Sequence, residues 1–257
     1  MSTLAEELIQ VKEKGAAAVL ATVVEVEENG RVEPGEKCLI QDGRIKVGTI
    51  RHEGLLQSIL KEANIRLREE RSKLVALEIP AAGGKAEVFF EVMSSPPRLI
   101  VVGAGHIAVP LVKFSKVLDF HVTVLDDRIL FANRERFPDA DEILVGDMAA
   151  TLKEMPVTPP TYIVLITRGH KYDEPCLREI IHSPAKYIGM IGSRRRTKAC
   201  FQRFREEEKI AEEIIHRVYA PIGLDINAET PEEIALSILA EIIKVRRGGK
   251  AQSLSGH

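Results

Sequence analysis

Residues Leu99-Ile100-Val101-Val102 form an apolar run that passes directly into Gly103-Ala104-Gly105-His106-Ile107-Ala108, and an apolar helical pattern follows through Leu118. The order is that of a phosphate-binding strand, turn and helix. Gly103 permits the tight turn, Gly105 lets a pyrophosphate approach the backbone, and the small Ala108 lets the helix pack close to the strand. A second strand, His121–Leu125, ends at Asp126, about 20 residues on, where a ribose-binding acid is expected. Strand, helix and acid together predict the nucleotide-binding half of a Rossmann-type domain.

The remaining pattern extends that half into a parallel sheet. Glu142–Val145, Tyr162–Thr167 and Lys186–Ile191 read as further strands, each followed by a turn and a helical pattern, an alternation that calls for helices on both faces. Thr230-Pro231-Glu232-Glu233 is a capping box with proline at the first helical position, opening a core-packing helix. Upstream, Met93-Ser94-Ser95-Pro96-Pro97 is a polar, proline-containing break. Before it lies a smaller α+β pattern: a helix over Leu4–Lys14, a strand over Ala16–Val26, and strands Gly35–Ile40 and Arg44–Ile50 around the hairpin signal Asp42-Gly43. An amphipathic helix over Leu55–Arg71 and strands Lys73–Ile79 and Ala86–Val92 joined around Gly83-Gly84 complete it. The expected fold is therefore α/β: a Rossmann-like parallel-sheet domain over 98–247, preceded by a small α+β domain over 1–93 and followed by a Gly- and Ser-containing disordered tail over 248–257.

The net charge of −2 leaves no electrostatic footprint for nonspecific nucleic-acid binding. No apolar run approaches membrane-spanning length, and the acidic N-terminus carries no signal-peptide pattern, so the expected location is cytoplasmic. Cys38, Cys176 and Cys200 are too widely spaced for a CxxC pair or a zinc site, and buried thiols are the default reading. No metal site is expected.

In an open parallel sheet, ligands bind outside the carboxyl ends of the strands. Those ends read Gly103–His106, Asp126–Arg128, Gly146-Asp147, Thr167–His170 and Gly192–Arg196, more charge and glycine than plain connections require. At the last, Ser193 is a helix N-cap candidate, and arginines at 194, 195 and 196 oppose the helix dipole unless an anion sits among them; a solvated basic turn is the alternative. His170 and Asp173 pair an imidazole with a carboxylate three residues away. His170 can be a ligand contact, a proton-transfer group or a loop histidine. Asp173 can serve the site or merely cap a helix starting at Glu174-Pro175. His106 lies near any ligand or simply caps. Asp225, in the loop Ala220–Asn227, faces the site or makes a turn.

Six strings occur in order: Val102–His106, Val124–Arg128, Arg136–Ala140, Thr167–His170, Tyr187–Arg194 and Pro221–Asp225. With them the chain resembles the xanthine dehydrogenase accessory factor family (XdhC/CoxI) over 98–246. Ala18–Val24, Pro34-Gly35 and Asp42-Gly43 are similar to that family's first domain. The resemblance implies a cytoplasmic chaperone that binds molybdopterin-type molybdenum cofactor, or its dinucleotide form, and delivers it to a xanthine dehydrogenase-like hydroxylase apoenzyme without turnover of its own. It also implies a homodimer. The cofactor's phosphate gives the arginine-rich helix start a rationale; the implied ligand site comprises Gly103, Gly105, His106, Asp126, Arg168, Ser193, Arg194 and Arg195, with His170 and Asp173 as the candidates for chemistry. Two departures stand out: the family's Gly-Gly-Cys stretch is here Arg51–Leu56, and its Cys-Gly-Gly turn is Ala82-Gly83-Gly84, both without cysteine. Asn227 replaces a glycine of the family, and asparagine tolerates the left-handed backbone. Two other functions remain: an NAD(P)-dependent oxidoreductase, with Asp126 on the ribose and His170 moving a proton, and a nucleotide-sensing regulatory module.

Overall fold

A computed structural model describes residues 3–13, 16–27, 32–80, 83–93 and 96–255. The expected helix end at Lys14, the break at Ser94-Ser95, Ala82 of the glycine turn, and Gly256-His257 of the tail lie outside them. The chain divides into two compact units, with the boundary in sequence between Ser95 and Pro96.

The first unit is an antiparallel sheet in the order β3-β2-β1-β5-β4, with β1 (Ala18–Glu27), β2 (Lys37–Gln41), β3 (Arg44–Gly48), β4 (Lys73–Glu78) and β5 (Lys85–Met93). Asp42 and Gly43 both take positive φ, 52° and 71°, as the tight hairpin between β2 and β3 demands. Helix α2 (Glu53–Glu69) lays Leu55, Ile59 and Ala63 on the alternating residues Val19, Ala21, Val23, Val88 and Phe90. His52 is its N-cap, accepting from Leu55 N–H at 3.2 Å. Helix α1 (Leu4–Glu13) packs Leu4, Leu8 and Val11 around Ala18 and Leu39 in a separate small cluster.

The second unit is a six-stranded sheet, β11-β10-β9-β6-β7-β8, and every neighbouring pair in it is parallel. Its strands are β6 (Arg98–Val102), β7 (His121–Asp126), β8 (Glu142–Val145), β9 (Thr161–Leu165), β10 (Tyr187–Met190) and β11 (Val218–Tyr219). This is the doubly wound order, and the chain reverses direction across the sheet between β6 and β9. Side chains alternate along each strand: Leu99 and Val101 face the cluster built with α3 (Ala108–Val117) and α8 (Pro231–Arg247). Ile100 and Val102 face the cluster built with α4 (Met148–Glu154), α5 (His170–Ile180) and α6 (Arg194–Glu206). The short α7 (Glu212–Ile215) leads into β11. A Rossmann-like parallel sheet that follows an antiparallel unit in the chain is the fold expected from the sequence. The two-residue β11 was outside that expectation, being too short to carry any periodicity.

Candidate functional site

The turn after β6 is built as its glycines imply. Gly103 has φ +106°, and a Cβ there would lie 2.5 Å from the carbonyl oxygen of Ile166, so the β6 and β9 ends touch through this position. A Cβ on Gly105 would meet nothing within 4 Å, leaving open space above the turn. Helix α3 starts without a side-chain cap, and the side chain of His106 at its approach is exposed.

Asp126 does not present its carboxylate to that space. It is 1% exposed and already takes bonds from Ala104 N–H (2.7 Å), Arg128 N–H (3.0 Å), Arg128 Nε (2.8 Å) and Arg128 Nη2 (2.8 Å). A carboxylate has about four lone-pair sites, so ribose hydroxyls would have to displace a partner. Burial raises its pKa, but the Arg128 and Ala104 hydrogen bonds outweigh it and bring it down to about 2. Beside it, Arg168 from the β9 end grips Asp127 from the β7 end through two bonds of 2.6 and 2.7 Å, crossing the β6 turn between them. The guanidinium of Arg168 stacks on Tyr172 at 3.8 Å, and Arg128 stacks on Phe131 at 3.8 Å. The hydrogen bonds to Asp127 push the Arg168 pKa up. These paired charges occupy the rim at the point where the strand order reverses.

One strand further on, between the ends of β9 and β10, lies a cleft of about 250 Å³ lined by Thr167, Gly169, Asp173, Gly192, Arg196 and Cys200, among others. Asp173 is 6% exposed, and its Oδ1 accepts from Thr167 Oγ1 at 2.6 Å. Burial pushes its pKa up to about 6 against the pull of that bond. The sequence reading of Asp173 as the cap of a helix beginning at Glu174-Pro175 is corrected here. Helix α5 begins at His170, with Gly169 at its N-cap and Pro175 inside it, so Asp173 lies within the first turn and points a buried carboxyl at the cleft. The His170 side chain is exposed at the edge of the same cleft.

Ser193 is the N-cap of α6, its hydroxyl accepting from Arg196 N–H at 3.4 Å. Arg194, Arg195 and Arg196 are all exposed. The guanidinium of Arg194 makes a loose 3.6 Å approach to Asp225 between side chains that are 88% and 87% exposed. Among the described residues no buried carboxylate forms an ion pair with these three cations, which stand on the positive end of a helix dipole. Arg196 lines the β9/β10 cleft, Arg195 and Arg203 a groove on its outer side, and Arg194 a polar groove along Pro221–Ala228. That loop is held by Glu241 of α8, which accepts from Tyr187 Oη (2.6 Å) and Gly223 N–H (2.9 Å), and by Ser237, which donates to Leu224 O at 2.6 Å. Asn227 has φ 57°, the left-handed geometry expected of it.

Of the predicted residues, Ser193, Arg194, Arg195, His170 and Asp173 gather around the β9/β10 end, whereas Gly103, Gly105, His106 and Asp126 lie at the β6/β7 end, with Arg168 between them. At the β8 end, Asp147 is a helix cap, accepting from Ala150 N–H at 2.8 Å. Glu241 and the Glu174–Arg203 ion pair escaped sequence reading; only Glu241, a carboxylate on the apolar face of α8, left a trace there, and Thr167, read as part of a strand end, gains its role as the partner of Asp173 only here. Cys38, Cys176 and Cys200 are buried, and burial pushes each thiol up to about 12. Among the described residues no group of three or more His, Cys, Asp or Glu side chains is placed to hold a metal ion, and no helix is long and apolar enough to cross a membrane.

Two family models match the chain: an XdhC Rossmann domain over residues 99–242 and the XdhC and CoxI family over residues 11–78. Among curated proteins it is 29% identical over 267 residues to the uncharacterized protein YqeB of Escherichia coli K12, covering 98% of this chain and 49% of that one. It is 30% identical over 181 residues to a protein of Bacillus subtilis 168 described as a probable xanthine dehydrogenase subunit, covering 70% of this chain and 52% of that one. The chain thus spans about half the length of these relatives. A crystal structure described as a xanthine dehydrogenase from Bacillus halodurans matches with a TM-score of 0.55 at 22% identity over 98% of both chains, a likeness of fold.

Proposed function

The chain belongs to the XdhC and CoxI family, and from that premise we propose that it is an accessory protein for a xanthine dehydrogenase-like molybdenum hydroxylase, holding a phosphorylated pterin cofactor for that partner. The observation that carries this reading is the start of α6: three exposed arginines on the positive end of a helix, beside a cleft. Cations there destabilise the helix, and a phosphate among them reverses the sign.

The donor set fits the phosphate of molybdopterin and does not fit its metal. The arginines match an oxyanion, but the three thiols are buried and held protonated, with pKa values of about 12, and thiolate is the form that binds molybdenum or relays sulfur. When bound, the cofactor supplies the redox chemistry of the hydroxylase. The residues of this chain anchor its phosphate at Ser193–Arg196 and leave the metal without a cysteine ligand.

The test is to express the full chain in a molybdopterin-producing host and identify by mass spectrometry what copurifies. Recovery of a molybdopterin in near-equal amount, lost in Arg195→Ala, supports the reading; NAD(P) alone overturns it. A second reading, an NAD(P)-binding protein, draws on the uncapped α3 start and the open space over Gly105. It is opposed by the filled acceptor sites of Asp126. Gly105→Ala separates the two, since a side chain there obstructs a pyrophosphate on α3 and leaves an anion on α6 untouched.

A further inference from the structure

The β9/β10 cleft is lined by charges of both signs. Arg196 lines it from α6, with Arg195 in an adjoining groove that shares His170, Glu174 and Arg196 with it, and the buried carboxyl of Asp173 lines it from α5 beside Arg168, whose guanidinium is taken up by Asp127. An acid in the first turn of α5 gains from the helix dipole, a gain an exposed acid would have without the cost of burial. Asp173 is not the cap, and its bond to the Thr167 hydroxyl would be served equally by a neutral Asn. Burial raises its pKa, so the position works against folding at neutral pH. A buried carboxylate lining a cleft is an acceptor for N–H donors, and it is best satisfied by two adjacent ones taken as parallel bonds. The bond from Thr167 uses Oδ1, and each carboxylate oxygen accepts twice.

We propose that Asp173 reads the paired N–H edge of a fused 2-amino-4-oxopyrimidine ring, the edge shared by pterins and guanine, in a ligand whose phosphate lies on Arg195 and Arg196. This rests on the anion site argued above. The ring N–H and the exocyclic amino group lie side by side on that edge. Hypoxanthine lacks the amino group, and adenine offers a ring acceptor in place of the ring N–H. The cleft volume of about 250 Å³ is below the ~300–1,000 Å³ usual for larger ligands and suits one ring system. A site built around a buried hydrogen-bonding group rejects analogues that leave the group unpaired.

Calorimetric titration of the full chain with neopterin phosphate, GMP, IMP and AMP tests this. The first two are expected to bind at least tenfold more tightly than IMP or AMP, and the preference between them identifies the ring as pterin or guanine. Asp173→Asn, with its fold checked by circular dichroism, is expected to shrink the GMP/IMP ratio below threefold. Equal affinity for all four in the unmodified chain, lost in Arg195→Ala, overturns the role of Asp173 and leaves the anion site standing. Binding that discriminates as expected but persists in Arg195→Ala overturns the anion site instead. Failure of all four to bind overturns both.

Discussion

Asp126 and Asp173 stand at ends of the same sheet, and their surroundings drive them in opposite directions. Asp126 is brought down to about 2 by Arg128 and Ala104 acting against burial, and Asp173 is pushed up to about 6 by burial. The ordinary carboxyl value is 3.8. For Asp126 the folded value lies below the unfolded one, so its contribution is present above pH ~4 and is lost as pH falls toward 2. Asp126→Ala leaves Ala104 N–H unpaired and Arg128 with only a 3.8 Å approach to Asp127, and urea unfolding at pH 7 is expected to show a loss of about 3 kcal/mol. For Asp173 the folded value lies above the unfolded one. Its cost is absent below pH ~4, grows as pH rises, and is complete above ~6, where it reaches about 3 kcal/mol. Asp173→Asn is therefore expected to be more stable than the unmodified chain at pH 8 and no more stable at pH 4. Equal unfolding midpoints at pH 8 would show that the carboxyl carries no burial cost. The sequence exposed the residue type and its proximity to His170, but not its environment. Pro175 imitates the first turn of a new helix, and only the packing of α5 against β9 and α6 shows that the helix begins at His170 and carries Asp173 inward.

At the scale of elements, local chemistry was legible wherever it decided conformation. The Asp42-Gly43 hairpin, the Thr230–Glu233 capping box, the Ser193 cap and the Gly103 turn all take the predicted form, because each depends on a few consecutive residues. Gly103→Ala tests the turn. Positive φ and a Cβ 2.5 Å from the Ile166 carbonyl combine strain with a backbone clash, and the expected loss is about 3 kcal/mol or more. Gly105→Ala, with open space around its Cβ, is expected to unfold within ~0.5 kcal/mol of the unmodified chain. Helix α6 makes the reverse case, an element less stable than it need be. Replacing Arg195 with Glu turns an unfavourable dipole contact into a favourable one, worth about 0.5 kcal/mol at an exposed position in low salt. Arg195→Glu is therefore expected to melt slightly higher than the unmodified chain while losing phosphate-bearing ligands. A lower Tm would mean that Arg195 already has a structural partner.

For the molecule as a whole, the nonlocal arrangement was the part the sequence could not carry. Alternating strands and helices imply a parallel sheet, but the order β11-β10-β9-β6-β7-β8 is set by which strands pair at long range. That order decides which strand ends become neighbours. It places Arg168 over Asp127, across the β6 turn, and sets Asp173 beside the start of α6. The predicted ligand residues thus fall at two ends of one rim, and the paired charges of Asp126–Arg128 and Asp127–Arg168 fill the first. Everything the proposed site uses comes from residues after Pro96, and the buried clusters divide the same way. Those of the parallel sheet draw only on Leu99 and later residues, and those of the antiparallel sheet only on Met93 and earlier ones. A fragment of residues 96–257 retains two complete cores, one on each face of the sheet. It is expected to unfold in a single cooperative transition with mixed helix and strand circular dichroism, and to bind GMP or neopterin phosphate within threefold of the full chain. A fragment that folds but binds more than tenfold more weakly would place part of the ligand contact in the antiparallel unit.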